Sequence, residues 1–181
     1  MVTTAADSFL ARLLGAARLD PATYERVARD PAATGQAAAV VALVTVATAI
    51  GSAAEATAVE LAAVLLVGPT LVLVLALATG VVGTRVAPAP PATGLGAFLR
   101  ALGFAETPGL LAACGVVPAV GPAIAGLVGV WTFVAAVVAI RQTLRTSTGR
   151  AVAAAVLGLL LAIVVWFLLV VVISLTADAL V

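Results

Sequence analysis

Four stretches of this chain each run for about a bilayer's width without a charged side chain, and no other feature restricts its fold as strongly. Crossing about 30 Å of hydrocarbon takes about 20 apolar residues in a helix. Gln36 to Ala54, Leu61 to Val82, Ala123 to Ile140 and Ala151 to Leu175 all qualify. Gly68 and Pro69 predict a kink at the centre of the second. The rest of the composition agrees: 64% of residues are hydrophobic and 9% charged, where a soluble domain carries roughly a quarter. The sequence therefore predicts an all-α integral membrane protein.

A further segment decides the number of crossings. Pro108 to Pro118 is apolar but only 11 residues long, with Glu106 just before it. It is either a re-entrant hairpin or the membrane part of a broken helix that starts near Leu95 and bends at Pro108. Arginine placement separates the two, because cytoplasmic loops are enriched in basic residues. If the segment crosses, all nine basic residues, every one an Arg, fall on one side, and the other side carries only Glu55, Glu60 and Asp178. If it turns back, Arg141, Arg145 and Arg150 move to the opposite face. The expectation is five transmembrane helices, amino terminus cytoplasmic and carboxyl terminus outside.

Residues 1–33 read as a cytoplasmic or interfacial amphipathic segment, and 34–181 as the five-helix domain. No compact apolar core precedes a small-residue cleavage site, so no cleavable signal peptide is expected. Ser8 to Ala17 places Phe9, Leu10, Leu13, Leu14 and Ala17 at helical spacing, with Arg12 and Arg18 directed elsewhere, as suits a helix in the headgroup layer. Asp20 and Pro21 start a second short helix, in which Glu25 and Arg29 form an i, i+4 pair. Asp30 and Pro31 repeat that start signal, so the first membrane helix is expected to begin ahead of its apolar stretch. Ala87 to Thr93 is a proline-rich linker, and Thr93 caps a helix whose Leu95, Phe98, Leu99 and Leu102 share one face with Arg100 on the other, again an interfacial pattern.

Chemistry-bearing residues are few. With no His and one Cys, His-dependent triads, zinc sites and internal disulfides are excluded. No cofactor, metal or catalytic residue is expected, and a net charge of +1 gives no face for nucleic acid. Glu106 is the one polar intramembrane candidate: acids at membrane depth mark ion or proton routes. Its structural reading is a carboxylate at the cytoplasmic interface facing the positive end of the helix that follows. The four spans offer it no ionisable partner. Arg141, Arg145 and Arg150 cluster where they could hold lipid phosphates, against an ordinary topological role. Cys114 reads as a small packing residue and Trp131 as membrane-facing or packing.

Two stretches, GFAETPGLLAACGVVPAVGP (Gly103 to Pro122) and VWTFVAAVVAIRQTLRTSTGRAVAAAV (Val130 to Val156), resemble the Yip1 domain family of five-span membrane proteins; Leu13 to Ala37 is similar to the amino-terminal segment of its bacterial members. The resemblance implies that Gly103, Phe104 and Pro108 shape the third helix. Eukaryotic members bind Rab-type GTPases through an acidic-aromatic motif before the first span; that motif is missing here, so GTPase binding is not carried over. The Lys-free, Ala-, Val- and Arg-rich composition points to a GC-rich bacterial genome and its cytoplasmic membrane.

The functional expectation is a non-enzymatic scaffold, membrane organiser or accessory subunit, with membrane lipids and another membrane protein as partners. The alternative is a small-solute or lipid transporter that uses the kinked helices at Pro69 and Pro108.

Overall fold

The computed structural model describes residues 8–54, 56–86, 94–117, 119 and 121–178; Thr93 and the linker before it lie outside them. Every regular element among these residues is helical: α1 (Phe9–Ala17), α2 (Pro21–Arg29), α3 (Ala33–Ser52), α4 (Ala58–Val86), α5 (Leu95–Ala105), a 3-10 helix (Thr107–Val116), α6 (Gly121–Leu144) and α7 (Thr148–Asp178). Four of them, α3, α4, α6 and α7, are long and apolar enough to cross a bilayer. Their outward residues, among them Leu66, Val130 and Phe167, are exposed, because lipid tails are as apolar as the helix and require no burial. The second span continues as one helix through Pro69.

The short starts follow their capping chemistry. Ser8 Oγ accepts from the Ala11 amide, and Asp20 accepts from the amides of Ala22 and Thr23 and from the Thr23 hydroxyl. Asp30 Oδ1 accepts from the Ala32 amide, and α3 begins at Ala33, ahead of its apolar stretch. Between α1 and α2 the Asp20 amide donates to Gly15 and the Leu19 amide to Ala16, the paired closure that puts a left-handed residue after a helix. Leu19 takes that position with φ 60, and Arg145 does the same after α6 with φ 49. Both are places where glycine is the usual solution.

Those hydrogen bonds, the Thr23 hydroxyl first, hold the Asp20 carboxyl below its usual 3.8. The ionised cap therefore stabilises α2 at neutral pH, and that contribution fades as pH falls below about 3.8 through the lower folded-state value. Amide protection in α2, taken relative to the intrinsic exchange rate at each pH, is expected to fall between about pH 5 and about pH 3, and this step is expected to be absent in Asp20→Asn.

The proline-broken third segment runs alongside α3 in the same direction. A Cβ on Gly103 would meet Ala37 at 3.0 Å, one on Gly109 would meet Val44 at 2.5 Å, and one on Gly115 would meet Gly51 at 3.3 Å. A 3-10 helix has three residues per turn, so side chains three apart eclipse. Here that sorting is visible: Gly109, Ala112 and Gly115 approach α3, while Leu111, Cys114 and Val117 are exposed. Cys114 is thus an outward residue and not the packing residue its size suggested. Stretching to about 2.0 Å per residue also gives ten residues about 20 Å of reach, where an α-helix would give about 15 Å. Gly121 then starts α6 beside Gly115, and α6 returns to the α2 end, where Arg145 meets Glu25 at 3.4 Å.

Two expectations change. The helix from Leu95 does not offer one apolar face: Ala97, Phe98, Ala101, Leu102, Gly103, Phe104 and Ala105 are all buried, against α2, α3, α4 and α6. Arg100 is not a headgroup residue there; it donates to the carbonyls of Val27 (3.0 Å) and Ala28 (2.5 Å), the unsatisfied acceptors at the end of α2. Arg12 likewise is buried. It pairs with Asp30 at 2.6 Å and donates to Gln36 Oε1 at 3.1 Å, so the cation is enclosed because acceptors from the next two elements come to it.

Candidate functional site

Glu106 ends α5, one residue before the 3-10 helix and two before Pro108. Proline's ring and missing amide stop α-helical continuation, so the chain tightens here and the acid sits at the break. The side chain is mostly enclosed, and no hydrogen bond or ion pair to its carboxylate occurs among the described residues. The third segment lies along α3, and the Gly103–Ala37 and Gly109–Val44 approaches place Glu106 between those two levels of α3.

Two cavities meet at this carboxylate. One, of about 210 Å³, lies between α3 and α4 and includes Thr45, Thr48, Gly68 and Leu75 in its lining. The other, of about 190 Å³, lies between α4, α6 and α7, with Thr79, Thr132, Phe133, Ile140 and Leu159 around it. Their walls are otherwise apolar. The Thr45 and Thr48 hydroxyls donate to the carbonyls of Val41 and Val44 on their own helix, the usual way a hydroxyl is satisfied at membrane depth. Thr79 Oγ1 is buried without a hydrogen-bond partner; a Cβ at Gly158 would lie 2.5 Å from it, so this oxygen faces the α4–α7 contact.

The remaining candidates are distributed elsewhere. Gly103 packs on Ala37, Phe104 is fully buried and Pro108 is buried at the start of the 3-10 helix. Pro69 lines a separate cleft with Ala37, Leu99 and Arg100; its neighbour Gly68 is the residue that reaches a Glu106 cavity. Arg145 pairs with Glu25, which Arg29 also holds. Arg141 and Arg150 are exposed and make no ion pair among the described residues.

Sequence reasoning missed the attachment of α1 and α2 to the bundle. Trp131 Nε1 donates to the Ala17 carbonyl at 3.0 Å, at the end of α1, and the Tyr24 hydroxyl donates to Ala16 at 2.9 Å. Tyr24 is fully buried. Burial, and then the nearby Glu106 carboxylate, push its phenol upward, so it remains a donor at any physiological pH. A tryptophan in the middle of an apolar span is the only advance signal: its indole N–H needs an acceptor that lipid cannot supply.

Compared with protein-family models, with curated proteins and with solved structures, the chain matches none of them.

Proposed function

We propose that the chain is a five-span membrane protein of the Yip1 type that organises the membrane around it, with no chemistry of its own, its amino terminus on the cytoplasmic side of a bacterial cytoplasmic membrane. The observation that carries this reading is the rigid docking of the α1–α2 hairpin. Arg12 with Gln36 of α3, Arg100 of α5 with the end of α2, and Trp131 of α6 with the end of α1 tie it to three separate elements. On the face turned away from those ties, Leu10 and Leu14 remain 69% and 53% exposed, and Arg18, Arg26 and Arg29 are exposed around the hairpin. An apolar helix face rimmed by guanidinium groups fits the boundary between headgroups and tails. Because the hairpin is fixed to the spans, it adds volume to one leaflet only. The third crossing is supported by the Gly103, Gly109 and Gly115 approaches to α3, which keep the short segment beside a full-length span.

Reconstitution into vesicles tests the organising role. The protein is expected to shift vesicles toward smaller diameters as its density rises, and Leu10→Gln with Leu14→Gln is expected to remove the shift while the bundle stays folded. Equal vesicle sizes with both proteins would remove the basis for the reading. The transport alternative is favoured by one feature, the unpaired Glu106 between two interior cavities; solute flux abolished by Glu106→Gln would support it.

A further inference from the structure

Glu106 leaves a charge to be answered. A carboxylate enclosed in apolar surroundings is costly unless it is paired, and the described residues bring no Arg to it. A proton neutralises it while the cavity is empty, and a bound cation can take that proton's place. The cavity between α4, α6 and α7 defines what fits. A bare divalent ion takes six or more oxygens, whereas this lining adds to Glu106 only Thr79, whose oxygen is turned to the α7 contact, and Thr132. No group of three metal-ligating side chains occurs among the described residues. The walls suit a cation with an apolar body: Leu75, Leu102, Ile140 and Leu159 surround it, and Phe133 offers a ring to a positive charge. At about 190 Å³ the cavity is smaller than the roughly 300–1,000 Å³ of drug-sized sites, which limits the body to one small ring or a short alkyl chain.

We propose that the cavity bounded by Glu106, Thr132 and Phe133 is a binding site for a small lipophilic primary ammonium, with its charged head on the Glu106 carboxylate and its apolar body against α6 and α7. The site holds whether or not the protein moves what it binds, and it is independent of the leaflet role of α1 and α2.

The experiment uses the full chain in lipid nanodiscs, with empty nanodiscs subtracted, and two probes of nearly equal shape: benzylammonium and benzyl alcohol. Benzylammonium is expected to bind saturably, one per chain, and about tenfold more tightly than the alcohol, the margin that a charge-assisted hydrogen bond holds over a neutral one. Glu106→Gln is expected to bring the ammonium down to the level of the alcohol and leave the alcohol unchanged. Gly129→Leu fills the same cavity from a position where a Cβ meets open space, and it is expected to weaken both probes with the carboxylate intact. Should Glu106→Gln fail to fold, the wild-type comparison and Gly129→Leu still decide the matter. Absence of saturable binding, equal affinity for the two probes, or ammonium binding unaltered by either variant would each overturn the proposal.

Discussion

Gly51→Val is expected to destabilise the protein by about 3 kcal/mol, at the upper end of overpacking costs because backbone, not a flexible side chain, stands in the way. An ideal Cβ at Gly51 lies 2.0 Å from the Ala112 carbonyl oxygen. Neither partner can yield by rotating a side chain, so α3 and the 3-10 helix must separate. Since Gly109 and Val44 form the next contact along the same seam, separation at one point loosens the whole third segment and with it the placement of Glu106. Gly35→Ala is the control on the same helix. Nothing lies within 4 Å of a Cβ there, and the substitution is expected to stabilise by about 0.5 kcal/mol through reduced backbone entropy alone. Thermal unfolding in one detergent reads both, and a Gly51→Val protein as stable as Gly35→Ala would show that the close approach is not a constraint.

The second large effect is expected from Arg12→Ala. The Arg12 side chain is 6% exposed and its partner Asp30 33%, so the pair lies between a buried bridge, where removing one member costs about 3–5 kcal/mol, and a surface one. A loss of about 2 kcal/mol is expected, because Asp30 can recover part of its hydration. The loss is local in kind: Arg12 connects α1 to Asp30 and Gln36, so amide protection should fall in α1 and α2 while α6 and α7 keep theirs. Arg26→Ala gives the scale for an exposed pair. Its 3.7 Å contact with Asp20 is 44% and 42% exposed, and its removal should change stability by about 0.5 kcal/mol or less. Equal effects of the two substitutions would mean that burial of Arg12 adds nothing.

These two sites also show where a reading of the chain succeeds and where it stops. The long spans were legible because lipid imposes one simple rule, a run of uncharged residues as long as the hydrocarbon is thick. The cap at Asp20 was legible because capping is local chemistry, and the start signal at Asp30 and Pro31 was legible in the same way, with α3 beginning at Ala33. The seam between α3 and the third segment was not: Gly109, Ala112 and Gly115 repeat every three residues, a period that points to nothing until the backbone is known to be 3-10. Glu106 was recognised as unusual, but the cavities on either side of it were not, since they form between helices far apart in the chain. Arg12 and Arg100 were read as outward-facing from helical periodicity, which describes one helix at a time and is blind to acceptors carried by its neighbours.

Sidedness of the turn between α6 and α7 tests the central claim, that the segment broken at Pro108 crosses the bilayer beside α3. In a Cys114→Ala background, Ser147→Cys and Ala53→Cys place single thiols at exposed positions in that turn and after α3. A membrane-impermeant maleimide applied to intact cells is expected to label the Ala53 position and to reach the Ser147 position only after lysis. Labelling of both positions in intact cells would mean that the segment turns back, and would contradict the five-span account.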